Sequence, residues 1–258
     1  MKPYYKNSTI KLYHGDCLGI MPRLDLKCDM CLTDPPYSVT AAKWDSIIPF
    51  GWMWHWLGKC VKRTGAICLF AQPPFSSRLI SSNLKSYKYN WYWIKNSPTN
   101  FMHAKNRPMA SVEEVCVFSR APMGHVSRLG KRRMNYNPQG IREAGSAIVT
   151  DTLHGALYGA RANQVGTEYT KMTGFHTHVL NYDTVPANRR LHITEKPVAM
   201  LEYLIRCYTD EGDTVLDFTA GSGSTGEACM NTGRKCIMIE KEESYCKKIV
   251  DRFSGRLI

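Results

Sequence analysis

Short apolar segments rich in β-branched and aromatic residues recur along the chain, and stretches with apolar residues at helical spacing lie between them. The first is Thr9-Ile10-Lys11-Leu12-Tyr13, followed by a predicted helix from about Cys17 to Leu24. A second strand is predicted from Asp29 to Thr33, and further ones at Ala66–Phe70, Asn90–Ile94 and Val112–Phe118. Later, Val198, Leu201, Leu204, Ile205 and Tyr208 repeat with the period of a helix that starts at Pro197. Asp213–Asp217 then reads as a strand, followed by a glycine loop, a helix and a last strand at Cys236–Glu240. This alternation predicts an α/β fold.

Between about Ala121 and Arg190 the pattern lapses. Gly, Asn, Thr and Arg become frequent, apolar periodicity weakens, and the basic cluster Lys131-Arg132-Arg133 appears. Residues 1–120 and 191–258 are therefore expected to form one body, with 121–190 an insertion.

Composition narrows the classes. No run approaches the roughly 18 apolar residues of a membrane span. The opening MKPYYKNSTIKLYHGD has no apolar h-region, so a cytoplasmic protein is expected. The ten cysteines are scattered and sit mostly in apolar runs, which suits reduced, buried thiols. Cys28 and Cys31 form a C-x-x-C inside a predicted strand with no second pair, so no metal is expected. Thirty-four Lys and Arg against 22 acids give a net charge of +12, which favours a polyanion such as nucleic acid as partner.

Two segments carry candidate chemistry. In Val215 to Gly226 a strand runs into a loop and then a helix, and Gly221 and Gly223 let the backbone turn sharply and approach a ligand. Glu240, at the end of the next strand, is placed to accept hydrogen bonds from both hydroxyls of a ribose. Gly221, Gly223 and Gly226 also match G-x-G-x-x-G, so an NAD(P)-dependent oxidoreductase is a rival. Asp217 would repel a pyrophosphate but suits the cationic amino-acid end of S-adenosylmethionine.

The other segment is Asp34-Pro35-Pro36-Tyr37, at the end of a buried strand. Consecutive prolines remove two backbone donors and leave carbonyls free to face a pocket. An exocyclic base amine is a weak nucleophile because its lone pair is delocalised into the ring. Acceptors on both N–H groups, the Asp34 carboxylate and the Pro35 carbonyl, would localise that lone pair toward a methyl donor. Tyr37 would stack on the base, and positioning and electrostatics would supply the catalysis. The target atom is out of reach inside a duplex, so the base must be extruded.

Asp34-Pro-Pro-Tyr37, Thr194-Glu195-Lys196-Pro197 and Asp217-Phe-Thr-Ala-Gly-Ser-Gly-Ser-Thr225 together resemble the bacterial and phage amino-methyltransferases of DNA. The catalytic tetrapeptide precedes the cofactor loop, as in the permuted β class. The resemblance implies a Rossmann-like mixed seven-stranded sheet with S-adenosylmethionine as cofactor. It implies Asp34, Pro35, Pro36 and Tyr37 as catalytic residues. It also implies cofactor contacts from Asp16, from Thr194, Glu195 and Lys196, from the loop residues Asp217, Phe218, Gly221, Gly223, Ser224 and Thr225, and from Glu240. Trp93-Ile-Lys95 through Asn106-Arg-Pro108 to Glu113-Glu114 resembles the family's element that supports the base pocket. Where the family usually has His-Glu this chain has Val112-Glu113, and no catalytic role is assigned there. The loop departs too, with Phe218 and Ser224-Thr225 where the commoner form has Pro and Thr-Thr.

The expected reaction is methyl transfer to adenine N6 in double-stranded DNA. Asp at the first tetrapeptide position goes more often with adenine in such relatives, and cytosine N4 is the near alternative. The 121–190 insert is the expected target-recognition element, with Arg128, Lys131, Arg132 and Arg133 on phosphates. Relatives are often dimers, so a homodimer belongs to the same expectation. A DNA-binding regulator without catalysis is a second rival. Trp52, Trp54 and Trp56 read as packing residues, and His55 and His103 as ordinary side chains.

Overall fold

The computed structural model describes residues 1–38, 46–148, 168–192 and 194–255. Residues 149–167 of the 121–190 insert therefore lie outside the described residues.

The strands are β1 (Tyr5–Lys6), β2 (Ile10–His14), β3 (Cys28–Thr33), β4 (Val61–Ala71), β5 (Tyr87–Thr99), β6 (Ala110–Phe118), β7 (Arg142–Ile148), β8 (Glu168–Thr173), β9 (Val179–Asn181), β10 (Thr214–Asp217) and β11 (Lys235–Glu240). The helices are α1 (Cys17–Ile20), α2 (Phe50–Cys60), α3 (Phe75–Ser81), α4 (Val126–Leu129), α5 (Val198–Tyr208), α6 (Ser224–Asn231) and α7 (Glu243–Phe253). Contacts divide the chain into a larger unit, Met1–Asn137 with His178–Ile258, and a smaller one, Pro138–Thr177.

In the larger unit nine strands form one sheet in the order β1-β2-β11-β10-β3-β4-β6-β5-β9. Strands β2, β11, β10, β3 and β4 are parallel, while β6 runs antiparallel between β4 and β5. The sheet is mixed and Rossmann-like, as expected, but among the described residues it has nine strands where seven were expected. The two extra ones are edge additions, β1 antiparallel to β2 and β9 parallel to β5. At two and three residues they are too short to leave an alternating pattern. The smaller unit contains the antiparallel pair β7–β8.

Helices cover both faces of the sheet, so its central strands are buried on both sides. On one face Leu201, Leu204, Ile205 and Tyr208 of α5 pack with Met30 of β3 and Val215 of β10. On the other, Met53 and Leu57 of α2 pack with Cys31 of β3 and Leu216 of β10. Successive residues of β3 and β10 thus serve opposite cores, which is the period-two alternation of a strand. Cys28 and Cys31 are buried thiols of this sheet. The tryptophans lie on α2, where Trp52 faces Trp56 one turn on and Trp54 donates to Ser82 Oγ at 2.8 Å.

Chain direction across the sheet positions the site. From β10 the chain steps outward to β11, whereas from β3 it steps the other way to β4. The carboxyl ends of β10 and β3 therefore flank a topological switch point, where open α/β sheets place their ligands.

Candidate functional site

The loops that follow β3 and β10 are tied together at that point. Thr33, the last residue of β3, donates from Oγ1 to Asp217 Oδ1 at 2.6 Å and lies 2.6 Å from Thr219 Oγ1. Thr219 in turn donates its N–H to Asp217 at 3.2 Å and its hydroxyl to the Asp34 carbonyl at 3.1 Å. Asp217 thus braces both loops from a buried position. Burial pushes its carboxyl up to about 6, against hydrogen bonds from Thr33 and Thr225 that pull it down.

Above this junction one cavity is lined by the Asp34–Tyr37 tetrapeptide, the loop after β10, Glu240, Asp16 and the Thr194–Lys196 segment. The sequence-expected catalytic residues all line it, as do all the expected cofactor residues except Gly223. Gly223 has φ +78° at the start of α6, and a Cβ there would lie 3.0 Å from Ile249 Cγ1. Its bareness serves the turn and the packing of α6 on α7. Gly221, with φ +54°, does line the cavity, and a side chain there would meet the His192 ring at 3.7 Å.

At the β11 end, Glu240 accepts from Gly221 N at 2.7 Å and from Glu242 N at 2.8 Å, each on a different oxygen. Each carboxylate oxygen has a second lone pair for a ligand hydroxyl. Burial pushes Glu240 up to about 7, although those two N–H groups lower it. Asp16 caps α1 through Leu18 N at 2.9 Å and pairs with Lys241 at 3.3 Å. In the Thr194–Lys196 segment, Thr194 Oγ1 is 2.9 Å from His192 Nδ1, and Glu195 accepts from Leu191 N at 2.7 Å and pairs with Arg252. The Glu195 carboxylate is thus engaged in holding its own segment.

At the β3 end, Asp34 accepts from the Tyr37 hydroxyl through Oδ1, and its Oδ2 lies 2.5 Å from Lys196 Nζ. The Tyr37 ring stacks on Phe75 with centroids 4.9 Å apart. Burial pushes the Asp34 carboxyl up, and the Lys196 ammonium pulls it back. Burial alone would lower Lys196, but Asp34 and Glu113 together hold it above the ordinary lysine range. The cavity thus has a buried carboxylate at Glu240 and an anchored one beside a Pro-Pro turn at Asp34.

Several lining residues escaped the sequence reading. His192 stacks obliquely on Tyr245 at 4.5 Å, and burial, aided by Lys196, drives its pKa down to about 4, so it is neutral near pH 7. Ile47, Ile48 and Phe70 add apolar wall. None belongs to a recognisable local motif, and isolated apolar or His positions give no signal. Arg128, Lys131 and Arg132 are exposed and Arg133 half-buried, on α4 and the turn after it. They belong to the larger unit, within Met1–Asn137. Among the described residues no helix is long and apolar enough to cross a membrane, and no His, Cys, Asp or Glu group could hold a metal ion.

A family model described as DNA methylase matches residues 28–251. The chain is similar to the type II methyltransferase M1.MboII of Moraxella bovis, 24% identical over 91% of this chain and 93% of that one. Among solved structures it resembles an M1.HpyAVI–SAM complex, with TM-score 0.60, 21% identity, and 95% and 98% of the two chains covered. It also resembles the PvuII DNA methyltransferase, named as cytosine-N4-specific, with TM-score 0.67, 17% identity, and 100% and 90% covered.

Proposed function

Since this chain belongs to the N6/N4 DNA methylase family, we propose that it moves a methyl group from S-adenosylmethionine to the N6 amine of adenine in double-stranded DNA. One observation carries the reading. The Asp-Pro-Pro-Tyr turn and the Gly221–Glu240 end line the same cavity, and Thr33, Thr219 and Asp217 bolt the two together.

The residues present fit the cofactor. Glu240 offers acceptors for ribose hydroxyls, and Gly221 supplies the left-handed backbone, φ +54°, of the loop that lines the cavity. Asp217, Asp34 and Glu240 make the cavity anionic, which suits a ligand with a sulfonium and an ammonium group. When bound, S-adenosylmethionine supplies an electrophilic methyl on a positively charged sulfur.

The chain's own residues do the rest. Asp34 and the Pro35 carbonyl accept the two N–H groups of the extruded base, turning its lone pair toward the methyl carbon. Positive charge developing on the amine nitrogen during the transfer would be stabilised by the Asp34 carboxylate beside it. The surplus proton then leaves the nitrogen to water. Tyr37 supplies an aromatic face for the base, and an extruded nucleotide is required because the amine is unreachable in the stack. Residues 121–190 read the target sequence, with Arg128, Lys131, Arg132 and Arg133 on phosphates. Asp at the head of the tetrapeptide favours adenine, while the name of the PvuII relative keeps cytosine N4 as the second reading.

Incubating the purified protein with methyl-labelled S-adenosylmethionine and duplex DNA, then digesting to nucleosides, tests this. Label in N6-methyldeoxyadenosine is the expected result. Label in N4-methyldeoxycytidine would move the target base, and unlabelled DNA from protein that binds the cofactor would contradict methyl transfer.

A further inference from the structure

Behind Asp34 the fold buries a chain of charges, among them Lys95 and Glu113, to which the sequence reading assigned no catalytic role. Lys95 of β5 and Glu113 of β6 have side chains only 6% and 4% exposed, and Lys95 Nζ lies 2.8 Å from Glu113 Oε2. The other Glu113 oxygen, Oε1, lies 2.9 Å from Lys196 Nζ, as a charge contact rather than an aligned hydrogen bond. Lys196 then reaches Asp34 Oδ2 at 2.5 Å. The sequence of charges is cation, anion, cation, anion, running from the sheet interior to the cavity wall.

Taking Lys95, Glu113 and Lys196 out of water is costly, and an apolar cluster of similar volume would serve folding as well. The arrangement does something an apolar cluster could not. A lysine ammonium has three rotatable donors and no preferred direction. With Glu113 on one side and Asp34 on the other, Lys196 is held against Oδ2, which leaves Oδ1 to the Tyr37 hydroxyl. Lys95 neutralises Glu113, so that Glu113 can grip Lys196 without adding an unbalanced anion beside Asp34.

We propose that Lys95 and Glu113 are positioning residues for the target amine, fixing Lys196 and through it the orientation and ionisation of Asp34. This rests on the reading of Asp34 as the acceptor of the amine. The groups that face Asp34 are Lys196 before α5, Glu113 on β6, Tyr37 of its own turn and Asp217 at the end of β10. Lys95 reaches it only through Glu113. Without Lys95, Glu113 and Asp34 would share the single ammonium of Lys196, and the excess negative charge would favour protonation of Asp34, which then loses the acceptor.

The test is the pH profile of single-turnover methyl transfer at saturating cofactor, over about pH 5 to 9. For Lys95→Met the acid limb is expected to move up by about one unit or more, with cofactor Kd by calorimetry unchanged. In Lys95→Met/Glu113→Gln the two buried charges leave together. There the limb is expected near its wild-type position while the rate falls about tenfold from looser orientation. A folded Lys95→Met with the wild-type limb would overturn the proposal, as would lost cofactor affinity with an unchanged saturated rate. Should Lys95→Met fail to fold, the double variant decides, and a wild-type rate there would overturn it. Asp34→Asn run alongside separates the two readings. Full activity in Asp34→Asn sinks the assignment of Asp34, whereas an inactive Asp34→Asn beside an unaltered Lys95→Met sinks the network alone.

Discussion

Asp34 is held by Lys196 through one oxygen and by the Tyr37 hydroxyl through the other, and it follows β3, which β10 separates from the β11 strand that carries Glu240. Asp34→Ala is therefore expected to cut methyl transfer at saturating cofactor by about a thousandfold or more, while cofactor affinity by calorimetry stays within a few-fold. Lost cofactor binding in a folded variant would mean that Asp34 serves the other ligand. Glu240 gives a pH prediction. Burial pushes its carboxyl up to about 7, so in the free protein it is largely protonated below that value. Ribose hydroxyls donate best to the ionised form, so cofactor binding is expected to weaken as pH falls below about 7, by up to tenfold per unit. In Glu240→Gln the affinity should be lower and flat with pH, and calorimetry at several pH values checks both. The tetrapeptide, the glycine loop and Glu240 were legible because each is a contiguous motif or sits at a strand end. The Lys196–Asp34 contact was not, because its partners lie 162 residues apart and only the fold brings them together.

At the scale of elements, the long central strand β4 was legible because burial on both faces leaves an apolar run, Ala66 to Ala71. The edge strands β1 and β9 were not, since so few residues show no period. The helix expected from Cys17 to Leu24 ends as α-helix at Ile20 and continues as a tighter turn over Met21–Arg23, where Pro22 withholds a backbone donor. What joins the elements at the site is a pair of hydroxyls, those of Thr33 and Thr219. Thr33 Oγ1 bonds Asp217 and Thr219 across the gap between β3 and β10. Thr33→Val keeps the shape of the side chain but strips a buried carboxylate of a donor, which costs about 1–3 kcal/mol. Urea unfolding should show a lower midpoint at an unchanged slope. An unshifted midpoint would mean that the two loops are held by packing instead.

For the whole molecule, the net charge of +12 gives a general attraction for DNA, and the stretch from Ala121 to Asn137 contributes Arg128, Lys131, Arg132 and Arg133 with no acid among them. If these contact phosphates, replacing Arg132 and Arg133 by Gln weakens DNA binding alike on all sequences. The slope of log K against log salt should then flatten by about 1.8, the share of two phosphate contacts. An unchanged slope would take both residues out of the interface. The overall architecture was legible because alternation and charge are properties of the whole chain, while the residues that read bases form no pattern of their own.

The central claim is that Asp34, with the carbonyl beside it, prepares an extruded adenine amine for a methyl group held at the Glu240 end. Long-read modification mapping of DNA from cells expressing either the wild-type chain or Asp34→Ala tests it most directly. The account predicts N6-methyladenine at one fixed sequence with the wild type and none with the variant. Equal methylation from both proteins would contradict it.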